Sequence, residues 1–120
     1  DEKHLYIVDT GASHKQGGNK HIRKFEVKAD GKSLGKSSVF AECTAGLFDG
    51  FRFDRDGRIW TSAADGVHCY DPDGTLIGKI KIPELVANVC FGSKMLNRLF
   101  ICGTTSMYSV FLAVNGIKGR

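Results

Sequence analysis

Apolar residues recur along this chain in short runs, not at the 3.6-residue spacing of a helix, and each run is closed by turn chemistry. Leu5-Tyr6-Ile7-Val8 stops at Asp9-Thr10-Gly11. After a polar, Gly-rich loop, His21-Ile22-Arg23-Lys24-Phe25-Glu26-Val27 runs to the turn Asp30-Gly31. Ser38-Val39-Phe40-Ala41 gives way to the loop Gly46-Leu47-Phe48-Asp49-Gly50. Phe51-Arg52-Phe53 then alternates strictly, which marks a strand, and Asp54-Arg55-Asp56-Gly57 marks a tight hairpin. The series continues through residues 58–62, 67–70, 76–82, 89–91, 99–102 and 108–111, with Asp65-Gly66, Asp71-Pro72-Asp73-Gly74 and residues 94–97 as turns. The pattern predicts an all-β chain.

Three runs share a grammar: Leu5-Tyr6-Ile7-Val8, Arg58-Ile59-Trp60-Thr61 and Arg98-Leu99-Phe100-Ile101. Their aromatics Tyr6, Trp60 and Phe100 fall 54 and 40 residues apart, close to the roughly 40 to 50 residues of a four-stranded propeller blade. The second and third runs follow a strand and a turn, the first does not, and about nine residues remain after Phe111. The expected architecture is a partial β-propeller of about two to three blades, because a closed ring takes about four to eight. Blade remnants are expected at about 1–47, 48–86 and 87–120, as the C-terminal part of one propeller domain. The missing blades, or a second copy of the chain, would complete the ring. Open apolar blade faces predict self-association, which light scattering showing a clean monomer at high concentration would contradict.

Composition narrows the function. Seventeen Lys and Arg against 13 Asp and Glu give a net charge of +4, but the basic residues are scattered among Gly, Ser and Asp. A nucleic-acid site wants a dense basic patch interleaved with stacking aromatics, so no nucleic-acid partner is expected. No run approaches the roughly 18 apolar residues of a membrane span, and the first residues lack the layout of a signal peptide. No membrane partner and a cytoplasmic location are the corresponding expectations. Cys43, Cys69, Cys90 and Cys102 form no C-x-x-C pair and have no His at zinc-ligand spacing, so four reduced core thiols are expected. No G-x-S-x-G elbow frames a nucleophilic serine.

Oxygen-bearing side chains gather at one end of the predicted hairpins. Folding the second unit between Arg55 and Asp56 sets Asp49 opposite Ser62. Folding the third about residue 96 sets Asn88 opposite Thr104 and Cys90 opposite Cys102, and the first unit carries Asp9 and Thr10 at the matching end. A rim of Asp9, Thr10, Asp49, Ser62, Asn88 and Thr104 suits a hard cation such as calcium. Asp54/Asp56 and Asp71/Asp73 read as hairpin turns, because the twelve-residue calcium-loop pattern is absent.

The run from Phe48 to Trp60, followed by Ala64-Asp65-Gly66-Val67-His68-Cys69-Tyr70-Asp71-Pro72-Asp73-Gly74, resembles the late blades of the gluconolactonase/regucalcin (senescence marker protein) family. Leu5 to Gly11 with His21 to Val27 resembles the preceding blade. Residues 86–92, 99–101 and 104–106 resemble the last one. The resemblance implies a six-bladed propeller with a divalent metal in its channel, usually calcium with zinc or magnesium as alternatives, hydrolysing sugar lactones such as gluconolactone. It also implies three metal ligands: a Glu from an early blade, an Asn at the start of a middle blade's inner strand, and an Asp in a Pro-Asp-Gly motif. Only the last maps here, onto Asp49, with Phe48 in place of the Pro. Asp49 is therefore the candidate metal ligand and catalytic base, and the isolated chain is expected to be inactive. The rival reading is a non-catalytic propeller that serves as a binding platform.

Overall fold

The computed structural model describes residues 2–118, where ten strands form three antiparallel sheets. The first sheet holds β1 (His4–Asp9), β2 (His21–Val27) and β3 (Leu34–Glu42). The second holds β4 (Phe51–Phe53), β5 (Ile59–Ala63), β6 (Gly66–Tyr70) and β7 (Leu76–Lys81). The third holds β8 (Val86–Gly92), β9 (Arg98–Gly103) and β10 (Met107–Phe111). Among the described residues the only helical element is a 3-10 turn at Gly11–Ser13, and no helix is long and apolar enough to cross a membrane.

Alternation along each strand decides what each sheet buries. Tyr6, Val8, Ile22, Phe40 and Ala41 of the first sheet pack on Phe48, Ile59, Ala63 and Tyr70, with Phe51 and Phe53 beside them. Trp60 and Val67 pack on Val86, Val89, Phe91, Leu99 and Ile101 of the third sheet. The second sheet is thus covered on both faces, and all of β6 is buried. Sheets stacked face to face in chain order are consecutive blades, and the chain is an arc of a β-propeller. β5 and β9 lie second in their sheets, whereas β1, which carries the same sequence grammar, lies at an edge. Among the described residues the first blade therefore has no counterpart of β4 and β8, and the third none of β7. The outer faces of the two end blades expose Leu5 (43%), Ile7 (42%) and Val39 (45%) on one side and Met107 (71%) and Phe111 (66%) on the other. These are the surfaces on which self-association is expected.

Both predicted hairpin registers are corrected. Phe51 pairs with Thr61, Arg52 with Trp60 and Phe53 with Ile59, so Ser62 does not lie directly opposite Asp49. The cause is a three-residue loop, closed by Asp54 N–H donating to Arg58 O (3.0 Å) and Gly57 N–H donating to Asp54 O (3.1 Å), with Gly57 at φ +81°. In the third blade Asn88 pairs with Cys102, not Thr104, and Cys90 with Phe100, not Cys102. There the chain turns through residues 93–97, with Ser93 (φ 74°) and Leu96 (φ 54°) left-handed, a conformation that residue type alone did not announce. The expectation of four core thiols fails for two of them. Cys43 and Cys69 are buried, and burial pushes the Cys69 thiol up to about 12. Cys90 and Cys102 are exposed, on the face of the third sheet turned away from the second.

Candidate functional site

The segment entering β4 is built from behind. Phe48 is fully buried, edge-on to His68 (6.3 Å between ring centres) and Tyr70 (5.8 Å), so the residue before Asp49 is anchored between blades. Ser62, also fully buried, accepts the Asp49 N–H on its hydroxyl (3.0 Å), and its own N–H donates to Gly50 O (2.9 Å). Gly50 N–H donates to Ala87 O (2.9 Å), joining the inner strands β4 and β8. The Asp49 backbone is thus held while its side chain is exposed. Among the described residues no hydrogen bond or ion pair engages its carboxylate.

Asn88 lies over Gly50 so closely that a Cβ added there would sit 2.0 Å from Asn88 Oδ1. Glycine is required at position 50 by that approach. Thr10 and Asp49 line one cleft of about 490 Å³, together with Ser13, Leu47, Phe48 and Leu85. The fold therefore brings Asp49, Ser62 and Asn88 together around Gly50, with Thr10 in the cleft that Asp49 lines. Asp9 serves its own loop, and Thr104 ties its turn to the segment before β8. Asp9 accepts from Gly11 N–H (3.0 Å) and the Asn19 amide (2.8 Å), and the Asn19 bond foremost holds its carboxyl below the usual range. Thr104 donates its hydroxyl to Leu85 O (3.2 Å).

Two polar centres were not legible as such in the sequence. Asp54, read as a turn residue, is wholly buried and accepts from Asp56 N–H (3.0 Å), Arg58 N–H (3.0 Å), the Arg58 guanidinium (3.3 Å) and the Trp60 indole N–H (3.0 Å). The second is His68, fully buried, whose Nε2 meets Asp65 Oδ1 at 2.6 Å while Nδ1 stays buried without a partner. Asp65 also takes Lys81 and Lys79. The Lys81 ammonium foremost, then the bonds from His68 and Lys79, holds the Asp65 carboxyl far below the ordinary carboxylate range. A depressed carboxyl contributes stability above its unfolded value of about 3.9, and that stability is lost as pH falls toward the folded value. Acid titration of unfolding should therefore show a shallower decline below about pH 4 for Asp65→Asn than for wild type. Parallel curves would show that the cluster carries no linked protons.

A family model described as the SMP-30/Gluconolactonase/LRE-like region matches residues 1–106. A gluconolactonase of Zymomonas mobilis subsp. mobilis is 34% identical over 61 residues, which is 49% of this chain and 17% of that protein. The solved gluconolactonase of Xanthomonas campestris superposes with a TM-score of 0.78 at 32% identity, covering 98% of this chain and 35% of that one. The calcium-binding regucalcin of Agrobacterium tumefaciens superposes at 0.72 and 22% identity, covering 98% of this chain and 44% of that one, and shows the shared fold. The chain spans less than half the length of each of these proteins.

Proposed function

This chain belongs to the SMP-30/gluconolactonase/LRE-like family, and from that premise we propose that the protein carrying this arc hydrolyses sugar lactones, with Asp49 as a ligand to a divalent cation and as the base that handles water. The observation that carries the reading is the Asp49 carboxylate itself, exposed and unengaged on a backbone clamped by Ser62 and Ala87. Such a group is available for an external partner.

The donor set around it is hard. The Asp49 carboxylate and the Thr10 hydroxyl, with no thiol or imidazole among the residues lining their cleft, suit calcium or magnesium better than zinc. Among the described residues no three His, Cys, Asp or Glu side chains converge on a metal position. Asp49 thus fits as one ligand, and calcium, which takes about six to eight oxygens, draws the rest from other blades. The 120-residue chain alone is expected to bind it weakly and to lack activity. When bound, the cation supplies Lewis-acid polarisation of the lactone carbonyl. Asp49 accepts a hydrogen bond from the attacking water on one carboxylate oxygen and takes its proton as the water oxygen bonds to the carbonyl carbon. The ring C–O bond then breaks, Asp49 returns the proton it took to the ring oxygen, and the open hydroxy acid leaves. Ser62 and Gly50 move no proton; they fix where the Asp49 oxygens sit.

The test is hydrolysis of glucono-δ-lactone by the full-length protein, read as acid release. Turnover is expected to vanish with a chelator and return with calcium. Turnover that ignores the chelator would sink the cation, and no turnover under any divalent ion would sink the lactonase reading.

A further inference from the structure

Asn88 sits at a bulge. Val86 pairs with Gly103 and Asn88 with Cys102, so Ala87 is an extra residue on the inner strand of the third blade. Val86 and Val89 are both buried in the core shared with the second blade, which leaves Ala87 and Asn88 outside that core and exposed. Bulges of this kind re-aim a side chain that regular alternation would commit to a sheet face. The Asn88 side chain lies against Gly50, the residue following Asp49.

Its orientation is fixed by hydrogen bonding. Oδ1 accepts the N–H of Val89 (2.8 Å), which commits one of its two lone pairs and fixes which end of the amide is oxygen, and the amide nitrogen is the end whose protons are left over. Among the described residues Nδ2 has no protein partner. The result is a neutral two-proton donor, held by its own backbone against Gly50, the residue that follows Asp49. Gly50 supplies the space, since any side chain there would overlap the amide.

We propose that Asn88 is a specificity-determining residue, donating from Nδ2 to a ring hydroxyl of the sugar lactone. The assignment rests on the lactonase reading above and assigns Asn88 no place in the cation's ligand set. A donor is the wrong polarity for a cation and the right one for a hydroxyl oxygen. A site built to hydrogen-bond a substrate hydroxyl discriminates against the analogue that lacks it, because the donor is then left without its partner.

The experiment compares glucono-δ-lactone with δ-valerolactone, which has the same ester ring and no hydroxyls, in the full-length protein. Asn88→Ala should lower kcat/KM for glucono-δ-lactone by about 10-fold to 100-fold, which is the scale of one lost neutral hydrogen bond at a site. It should leave δ-valerolactone and calcium affinity, read by calorimetric titration, within about twofold of wild type. Asn88→Asp keeps the size and the acceptor for Val89 N–H but removes the donor. It should reproduce the selective loss without lowering calcium affinity, and it serves if the alanine variant folds poorly. Equal losses on both lactones, a fall in calcium affinity in Asn88→Ala, or unchanged selectivity would each overturn the assignment while the lactonase stands. Wild-type protein inert to both lactones overturns the lactonase reading and this assignment with it.

Discussion

Asp49→Asn in the full-length protein is expected to cut lactone turnover on the order of a hundredfold or more, with calcium affinity falling in parallel. The substitution removes one negative charge and one proton acceptor while keeping the side chain's shape. Nothing that holds the segment is touched. Asp49 N–H still donates to the Ser62 hydroxyl, Gly50 still bonds Ala87, and Phe48 remains packed against His68 and Tyr70. Stability should consequently stay within about 0.5 kcal/mol of wild type, as for an exposed side chain with no partner. That separation is what makes the test informative, because a loss of turnover with an unchanged melting curve can only come from the carboxylate. Unchanged turnover would remove Asp49 from both of its proposed roles.

The largest effect on folding is expected from Asp54→Ala, at about 3 to 5 kcal/mol of lost stability. Asp54 is buried completely and ties together two backbone N–H groups of its turn, the Arg58 guanidinium and the Trp60 indole. Truncation leaves these four donors without their acceptor at a part-buried hub, and each group orphaned away from water costs roughly 1 to 3 kcal/mol. The damage reaches past the hairpin. Trp60 stands edge-on to Phe91 across the seam between the second and third blades (6.3 Å), and the Asp54 backbone, steadied by the same carboxylate, pairs with Gly116 of the returning C-terminal segment. Asp54→Asn keeps one oxygen for the two turn N–H groups but turns an amide nitrogen toward Arg58 and Trp60, so an intermediate loss is expected. Urea unfolding followed by Trp60 fluorescence checks both variants. A midpoint for Asp54→Ala equal to wild type would mean that the turn N–H groups find water and the buried hub is dispensable.

How far the sequence reached can be judged at particular residues. The strands were legible because the pleat has period two and the turns carry their own chemistry: Gly57 at φ +81° and Gly74 at φ +93° stand where Asp-Gly turns were expected. Trp60 and Tyr70 pack between sheets, as their place on strands suggested. The register failed where the turn depended on left-handed Ser93 and Leu96, residues whose type does not advertise that conformation. Asp54 gave only a turn signal, since a capping carboxylate is the same letter whether water or an indole N–H lies above it. His68 gave none; its neighbours Phe48 and Asp65 meet it through strand pairing and blade packing.

By itself, the order of residues determined the all-β class and the succession of strands and turns, because strand alternation and turn preference are set by backbone sterics within a few residues; Asp49 stood out as a ligand candidate only through the family resemblance. Only the tertiary structure decided that Cys90 and Cys102 face outward, that a bulge turns Asn88 toward Gly50, and that Ser62 clamps Asp49 from inside. Those outcomes depend on which blade face meets its neighbour and on contacts between residues 13 to 38 positions apart, distances over which residue type carries no geometric information until the sheets have packed.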